Sequence, residues 1–338
     1  MNADIRPGRQ NLITDVAGLN VGNAEDLRVL TGVTVVVPEN SMMVAADVRG
    51  GAPGSRDTAL LEPENLIDDV HAIVLSGGSV FGLDAASAVT TALAHRGIGF
   101  KFGTQPWPCP IVPSAILFDL MNGGDKAWGD GAPYRRLGRA ALASAGKTFD
   151  LGLTGAGTGA IAGRVKGGLG SASAIWSGNT VGALVAVNSV GSCFNGQTGL
   201  PWSIESAIGD EMGPNRKVSK FPPELAMTKL DGMAQLGTNT TIAVVATDAR
   251  LSKAEAKRLA IMAGNGLAIA IRPLHTPFDG DTVFAAATGH RDIETPRALA
   301  VARLGEIAAL TLARAVGRAL WEAESAGSAK SWRELVGR

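Results

Sequence analysis

The sequence predicts an α/β fold in which sheets are covered by layers of helices, and three observations carry that expectation. Short β-branched apolar runs recur along the chain. Segments with helix start and stop signals stand before and after them. A composition of 46% hydrophobic and 18% charged residues over 338 positions supplies a core large enough to cover sheets on both sides.

In chain order, Thr31 to Val37 (TGVTVVV) is β-branched and closed by Pro38, which predicts a strand. Ala72 to Leu75 reads as a short buried strand leading into Ser76-Gly77-Gly78-Ser79. A helix is predicted from Val80 to Ala94, with Gly97 placed to end it, and another from Arg135 to Ala145, before Gly146. Gly182 to Val187 (GALVAV) and Thr241 to Ala246 (TIAVVA) have no polar alternation and predict strands buried on both faces. Ser252 with Glu255 has the capping-box spacing and opens a helix to about Met262. Val283 to Ala287 predicts a last strand. Thr295-Pro296 then opens a long Ala/Leu helix to about Trp321, with proline at the first helical position. Glu205 to Leu225, charged and bearing prolines, reads as a surface loop leading toward Asn239.

Composition excludes several classes. Lys plus Arg and Asp plus Glu are equal at 31 each, without a basic block, so no nucleic-acid partner is expected. No apolar run reaches membrane-spanning length, and the start Met1-Asn2-Ala3-Asp4-Ile5-Arg6-Pro7 lacks the apolar core of a secretion signal; the expected compartment is the cytoplasm. Cys109 and Cys193 provide neither a disulfide framework nor a zinc site, and no cofactor or metal is expected. Aromatic residues make up only 5%, so the core must be aliphatic, and 44 glycines imply many close approaches of backbone.

Two glycine-rich segments imitate nucleotide sites. Gly146-Lys147-Thr148 has a predicted helix before it and strand-like Phe149-Asp150-Leu151 after it, the reverse of a phosphate loop, so a helix end is the better reading. Gly155-Ala156-Gly157-Thr158-Gly159-Ala160 lacks both a preceding strand and the acidic residue expected about 20 positions on. It reads as a tight loop lining a site. Neither a Gly-x-Ser-x-Gly elbow nor a His-Glu-x-x-His helix is present. His71, His95, His275 and His290 are scattered and read as structural or solvated, His275 being the one nearest the segment of interest.

That segment is Leu236-Gly237-Thr238-Asn239-Thr240-Thr241-Ile242-Ala243-Val244-Val245, a turn followed by an apolar strand with a hydroxyl residue at its mouth. Scission between Asn239 and Thr240 would give Thr240 both a nucleophile and a base, its hydroxyl and an α-amine of pKa roughly 8. Such a residue needs no histidine to take its proton.

Other residues suit an amide hydrolase built around Thr240. Asn188 ends the GALVAV strand, where its amide would serve an oxyanion; an ordinary strand-end turn fits the spacing equally. Lys166, in Arg164-Val165-Lys166-Gly167-Gly168, sits among glycines that admit another backbone. It is either a cation beside the threonine or an exposed loop lysine. Asp279-Gly280-Asp281 offers two carboxylates to orient a threonine amine and hydroxyl. The competing reading is a turn pair, and no run of further oxygen ligands supports a calcium loop.

Taken together, the chain resembles the L-aminopeptidase/D-amidase-esterase family, with its β-peptidyl aminopeptidases and nylon-oligomer hydrolases. The likeness covers nearly the whole chain. It includes Asn11-Leu12-Ile13-Thr14-Asp15-Val16-Ala17-Gly18, Asp47-Val48-Arg49-Gly50-Gly51-Ala52-Pro53-Gly54, Leu75-Ser76-Gly77-Gly78-Ser79-Val80-Phe81-Gly82-Leu83, Lys166-Gly167-Gly168, Asn239-Thr240-Thr241 and Asp279-Gly280-Asp281. The resemblance implies a single αββα domain of the aminopeptidase/ornithine acetyltransferase type. It implies a precursor that cuts itself into Met1 to Asn239 and Thr240 to Arg338, and a homo-oligomer, tetramer or larger. Carried over, Thr240 is the nucleophile, Asn188 the oxyanion donor and Lys166 the charged neighbour. Asp279 and Asp281 orient the nucleophile, and an aspartate pair there resembles the nylon-oligomer branch. One position departs: Phe118-Asp119 stands where relatives have a tyrosine before the aspartate, which removes a hydroxyl and bears on the substrate class.

The expected activity is hydrolysis of short peptides or amides with a free amine, through an acyl-enzyme ester. An acyltransferase using the same threonine, or a small-molecule binding protein that never processes itself, stands as the alternative.

Overall fold

The computed structural model describes residues 5–213, 218, 221–231, 239–293 and 296–337. The turn 236–238, part of the loop between Glu205 and Leu225, and Thr295 lie outside the described residues.

The elements in chain order are β1 (Leu19–Asp26), β2 (Thr31–Pro38), β3 (Met43–Val48), β4 (Ser55–Arg56), β5 (Ile73–Ser76), α1 (Asp84–His95), β6 (Ser114–Ile116), α2 (Tyr134–Ala143), β7 (Ile161–Ala162), β8 (Val165–Lys166) and β9 (Leu169–Trp176). After them come β10 (Asn179–Asn188), β11 (Thr240–Ala249), α3 (Lys253–Ala263), α4 (Asn265–Ala270), β12 (Thr282–Arg291), α5 (Arg297–Glu322) and α6 (Trp332–Leu335). One sheet runs β1-β2-β5-β6-β4, the other β3-β12-β11-β10-β9, and β7 with β8 forms a small hairpin.

Alternation of side chains across each strand builds the layers. From β10 and β11, Leu184, Ala186, Ile242, Val244 and Ala246 face the first sheet and pack with Val21, Val36, Ile73 and Leu75. Their sequence neighbours Ala183, Val185, Val187, Ala243 and Val245 face the other way, under α3, α4 and α5. Val33, Val35 and Val74 of the first sheet point outward against Val89, Leu137 and Leu142 of α1 and α2. The result is an αββα sandwich. Phe284 of β12 is fully buried between the sheets, where truncation to alanine would cost about 3–5 kcal/mol.

Glycine explains how closely the outer helices sit. A Cβ at Gly22 of β1 would stand 1.9 Å from the Ala141 carbonyl of α2, and one at Gly170 of β9 would stand 2.0 Å from the Ala315 carbonyl of α5. Each helix rests on bare backbone.

Some expectations need correction. Residues 149–151 form no strand; Lys147 instead donates to the Leu19 carbonyl at 2.8 Å and to Glu39, tying the segment after α2 to the rim of β1. The predicted Val80 helix opens as a 3-10 turn over Ser79–Leu83 and turns α-helical at Asp84. Pro296 is the N-cap of α5, one position earlier than predicted. The expected capping box is present: Ser252 caps α3, accepting from the Glu255 N–H, with the reciprocal bond from Ser252 N–H to the Glu255 carboxylate at 2.8 Å.

Candidate active site

Thr240 opens β11, a central strand, and its partner across the antiparallel ladder is Asn188, the last residue of β10. Both are buried, as are Asn239, Lys166, Asp279 and Asp281. The Asn239 carbonyl oxygen accepts from the Thr240 hydroxyl and from the Gly280 N–H, the latter at 3.0 Å. Thr240 Oγ thus lies against the carbonyl group it would attack, and a backbone donor polarises that group. Among the described residues, the buried Asn239 side-chain oxygen has no hydrogen-bond partner, a cost of about 1–3 kcal/mol held next to the same bond.

Gly280, in sequence only the spacer between two aspartates, lies directly against Thr240. A Cβ there would stand 2.7 Å from Thr240 Oγ1 and 2.7 Å from the Ala52 carbonyl. The flanking aspartates are held by backbone. Asp281 accepts from Thr241 N–H at 2.7 Å and from both the N–H and Nδ1 of His275, the ring contact being 2.9 Å. Asp279 accepts from Thr276 N–H at 2.8 Å and Val190 N–H at 3.3 Å. Burial, and then the neighbouring Asp281 charge, push the Asp279 carboxyl above the ordinary aspartate value. Asp281 therefore bonds Thr241 rather than Thr240 itself, while Asp279 ties the loop at Thr276 to the segment after β10. His275, read from sequence as structural, is the side-chain partner of Asp281. Its backbone φ of +55° bends the loop back onto that carboxylate.

Asn188 is a hub. Its side-chain oxygen accepts from Ile161 N–H at 2.9 Å, Asn122 Nδ2 at 3.2 Å and Lys229 Nζ at 3.3 Å, while its amide nitrogen donates to the Phe118 carbonyl at 2.9 Å. Phe118 thus contributes its backbone to the site. Next to it, buried Asp119 accepts from Thr31 Oγ1 at 2.6 Å and Gly78 N–H at 2.8 Å, and burial raises its carboxyl above the usual range.

Lys166 ends β8, and the two glycines after it lie on the end of β10. Val187 N–H donates to the Gly168 carbonyl at 3.0 Å, and a Cβ at Gly167 would stand 2.0 Å from the Val187 carbonyl. The ammonium group donates to three carbonyls, Ala160 and Gly167 at 2.9 Å and Gly157 at 3.2 Å. Burial drives its pKa down to about 7, against a smaller upward pull from Asp119. Lys166 is brought beside the end of β10, but its ammonium bonds two carbonyls of the glycine-rich loop 155–160 and that of Gly167.

Lys229 and Asn122 were not anticipated, and no motif marks either. Both line a cavity of about 310 Å³ with Met121, Ile161, Gly163, Arg164, Ser328 and Ala329. Three of its lining residues, Asn122, Ile161 and Lys229, are the donors to Asn188. A larger hollow of about 780 Å³ lies between Gln10, Glu25, Arg318 and Arg333 and touches none of these groups. The smaller cavity is bounded by the residues that bond Asn188. Among the described residues, no group of three or more His, Cys, Asp or Glu is placed to hold a metal ion, and no helix is long and apolar enough to cross a membrane.

The fold and this arrangement define the class. The beta-aminopeptidase of a Burkholderia species superposes over 100% of this chain and 97% of its own, with a TM-score of 0.68 and 22% identity. The L-aminopeptidase D-Ala-esterase/amidase of Ochrobactrum anthropi, described as a variant of the Ntn hydrolase fold, does so over 95% and 89%, also at 0.68 and 22%. The fold is that of an Ntn-type hydrolase. The model of peptidase family S58 matches residues 11–332, and the chain belongs to that family. It is 40% identical to an uncharacterized aminopeptidase of Mycobacterium tuberculosis over 96% of this chain and 98% of the relative. It is 31% identical to the 6-aminohexanoate-oligomer endohydrolase of a Kocuria species over 94% and 85%. The protein is a hydrolase of the peptidase/amidase class.

Proposed function

We propose that the chain is a self-processing N-terminal-threonine aminopeptidase/amidase acting on short peptides or amides with a free amine. The observation that carries this reading is the placement of Thr240 Oγ and the Gly280 N–H on one carbonyl, that of Asn239.

Thr240 Oγ attacks the Asn239 carbonyl carbon. The C–N bond breaks as the C–O bond forms, and the proton leaving the hydroxyl ends on the new amine. Water then hydrolyses the ester, releasing the Asn239 carboxylate and restoring the hydroxyl. In turnover the Thr240 amine takes the hydroxyl proton during attack on a substrate amide. Asn188 stabilises the tetrahedral oxygen, and the acyl-enzyme ester is hydrolysed in turn. Lys166, while it holds its proton, favours a neutral Thr240 amine. Asp279 and Asp281, drawn toward the new amine, orient it and hold the free amine of the substrate. The names of the relatives, aminopeptidases and an amide-oligomer hydrolase, support the substrate class.

Denaturing electrophoresis of purified protein tests the reading. Wild type should give two bands, the smaller beginning at Thr240, and Thr240→Ala one band. Active, uncut wild-type protein would overturn it. Native mass measured on the same sample reads the homo-oligomer implied by the family resemblance.

A further inference from the structure

The cavity beside Asn188 has a one-sided charge. Among the described residues, its lining holds two cations, Lys229 and Arg164, the amide of Asn122 and the hydroxyl of Ser328, and no carboxylate. Arg164 is exposed at the cavity and, among the described residues, makes no hydrogen bond or ion pair. Among the described residues, the Lys229 ammonium donates only to the Asn188 main-chain and side-chain oxygens, at 3.4 and 3.3 Å, both long contacts to neutral acceptors. Two cations sharing a small cavity repel each other unless an anion sits between them.

We propose that this cavity receives a carboxylate of the substrate, so that the preferred substrates carry an anionic group as well as the free amine. The inference rests on Thr240 and Asn188 being the reacting centre, because Asn188 is what joins the cavity to the bond that is cut. A carboxylate there meets the guanidinium of Arg164 from the open side and the ammonium of Lys229 from within, with the Asn122 and Ser328 side chains at hand. Among the described residues, no carboxylate forms an ion pair with the Lys229 ammonium. Its pKa is lowered to about 7, chiefly by burial and to a small extent by nearby Arg164, against upward pulls from Asp279 and Cys193. Asp279 is already engaged by Thr276 and Val190 N–H groups. Asp231, the acidic group near Arg164, is fully exposed and turned onto Thr228.

The carboxylate has two sources: the C-terminus of a short peptide, or an acidic side chain beside the scissile amide. Two matched pairs separate them with the processed enzyme. One compares a dipeptide with its C-terminal amide, the other an aspartyl with an asparaginyl anilide. In one pair kcat/KM should favour the anionic member by about tenfold, the scale of a charge-assisted bond. Arg164→Met should shrink that ratio severalfold and Arg164→Glu should invert it; Arg164 is exposed and unbonded, so both variants should fold. Equal rates within both pairs, or a preference that survives Arg164→Glu, would overturn the proposal.

Calorimetry with succinate gives an independent reading. It should bind wild type more tightly than Arg164→Glu, and absence of binding to wild type overturns the site. If no member of either pair is hydrolysed, the proposed function fails, and succinate binding alone then decides the anion site.

Discussion

The N–H of Gly280 and the carbonyl of Asn239 meet at 3.0 Å, a backbone bond that aims a donor at the acyl group preceding Thr240. Because a Cβ at Gly280 would press within 2.7 Å of Thr240 Oγ1, Gly280→Ala must displace either the hydroxyl or the donor. Self-cleavage should slow by roughly a hundredfold, the usual loss for one oxyanion donor. Appearance of the smaller band with time measures it. Wild-type kinetics in a folded Gly280→Ala protein would refute the role.

Asn188→Ala strands three donors, Ile161 N–H, Asn122 Nδ2 and Lys229 Nζ, in buried surroundings. Unfolding in denaturant should show a loss of about 1–3 kcal/mol, and kcat/KM should fall about a hundredfold or more. Asn188→Asp keeps an acceptor for those donors but gives up the bond to the Phe118 carbonyl. It should recover part of the stability and little of the rate.

His275 holds Asp281, which holds the Thr241 N–H. His275→Ala should lower kcat by about tenfold, the value of one charge-assisted bond, with KM nearly unchanged, because the nucleophile is left less firmly oriented while the cavity is untouched. His275→Asn, which can still donate, should restore part of the rate. A change confined to KM would show that His275 contacts substrate instead.

Lys166 makes stability depend on pH. Its pKa falls from 10.5 in the unfolded chain to about 7 in the fold. Between those values the unfolded chain holds a proton that the folded chain has released. This lysine therefore adds stability as pH rises from about 7 toward 10, by up to about 1.4 kcal/mol per pH unit, and adds no slope below that window. Lys166→Met should be less stable at pH 7, since three carbonyls lose their donor, and should lack that slope. Denaturant unfolding at pH 7, 8 and 9 compares the two; parallel pH dependences would refute the assignment.

How far the sequence carries depends on the signal each element bears. β10 and β11 were legible because strands covered by layers on both sides are apolar at nearly every position, and α3 because Ser252 and Glu255 form a side-chain cap. β9 reads LGSASAIW and β1 reads LNVGNAED, small and polar residues poor in strand propensity. Each is an edge strand of its sheet, and each owes its place to the helix resting on its glycine, a tertiary cause that leaves no local trace. Within the site, Thr240, Asn188 and the aspartates were visible as residue types at strand ends. Gly280 acts through its backbone and Lys229 through a fold-dependent approach to Asn188, so neither had a pattern to find.

The strand order β3-β12-β11-β10-β9 has a consequence for what a cut between Asn239 and Thr240 would leave behind. The two pieces would be interleaved within one sheet, the smaller supplying the middle pair of strands and the larger gripping it from either flank, through β10 on one side and β3 on the other. Neither could depart without tearing both ladders. A bond would have been spent to gain a reactive chain end that cannot fray, in a molecule whose native size never records the event.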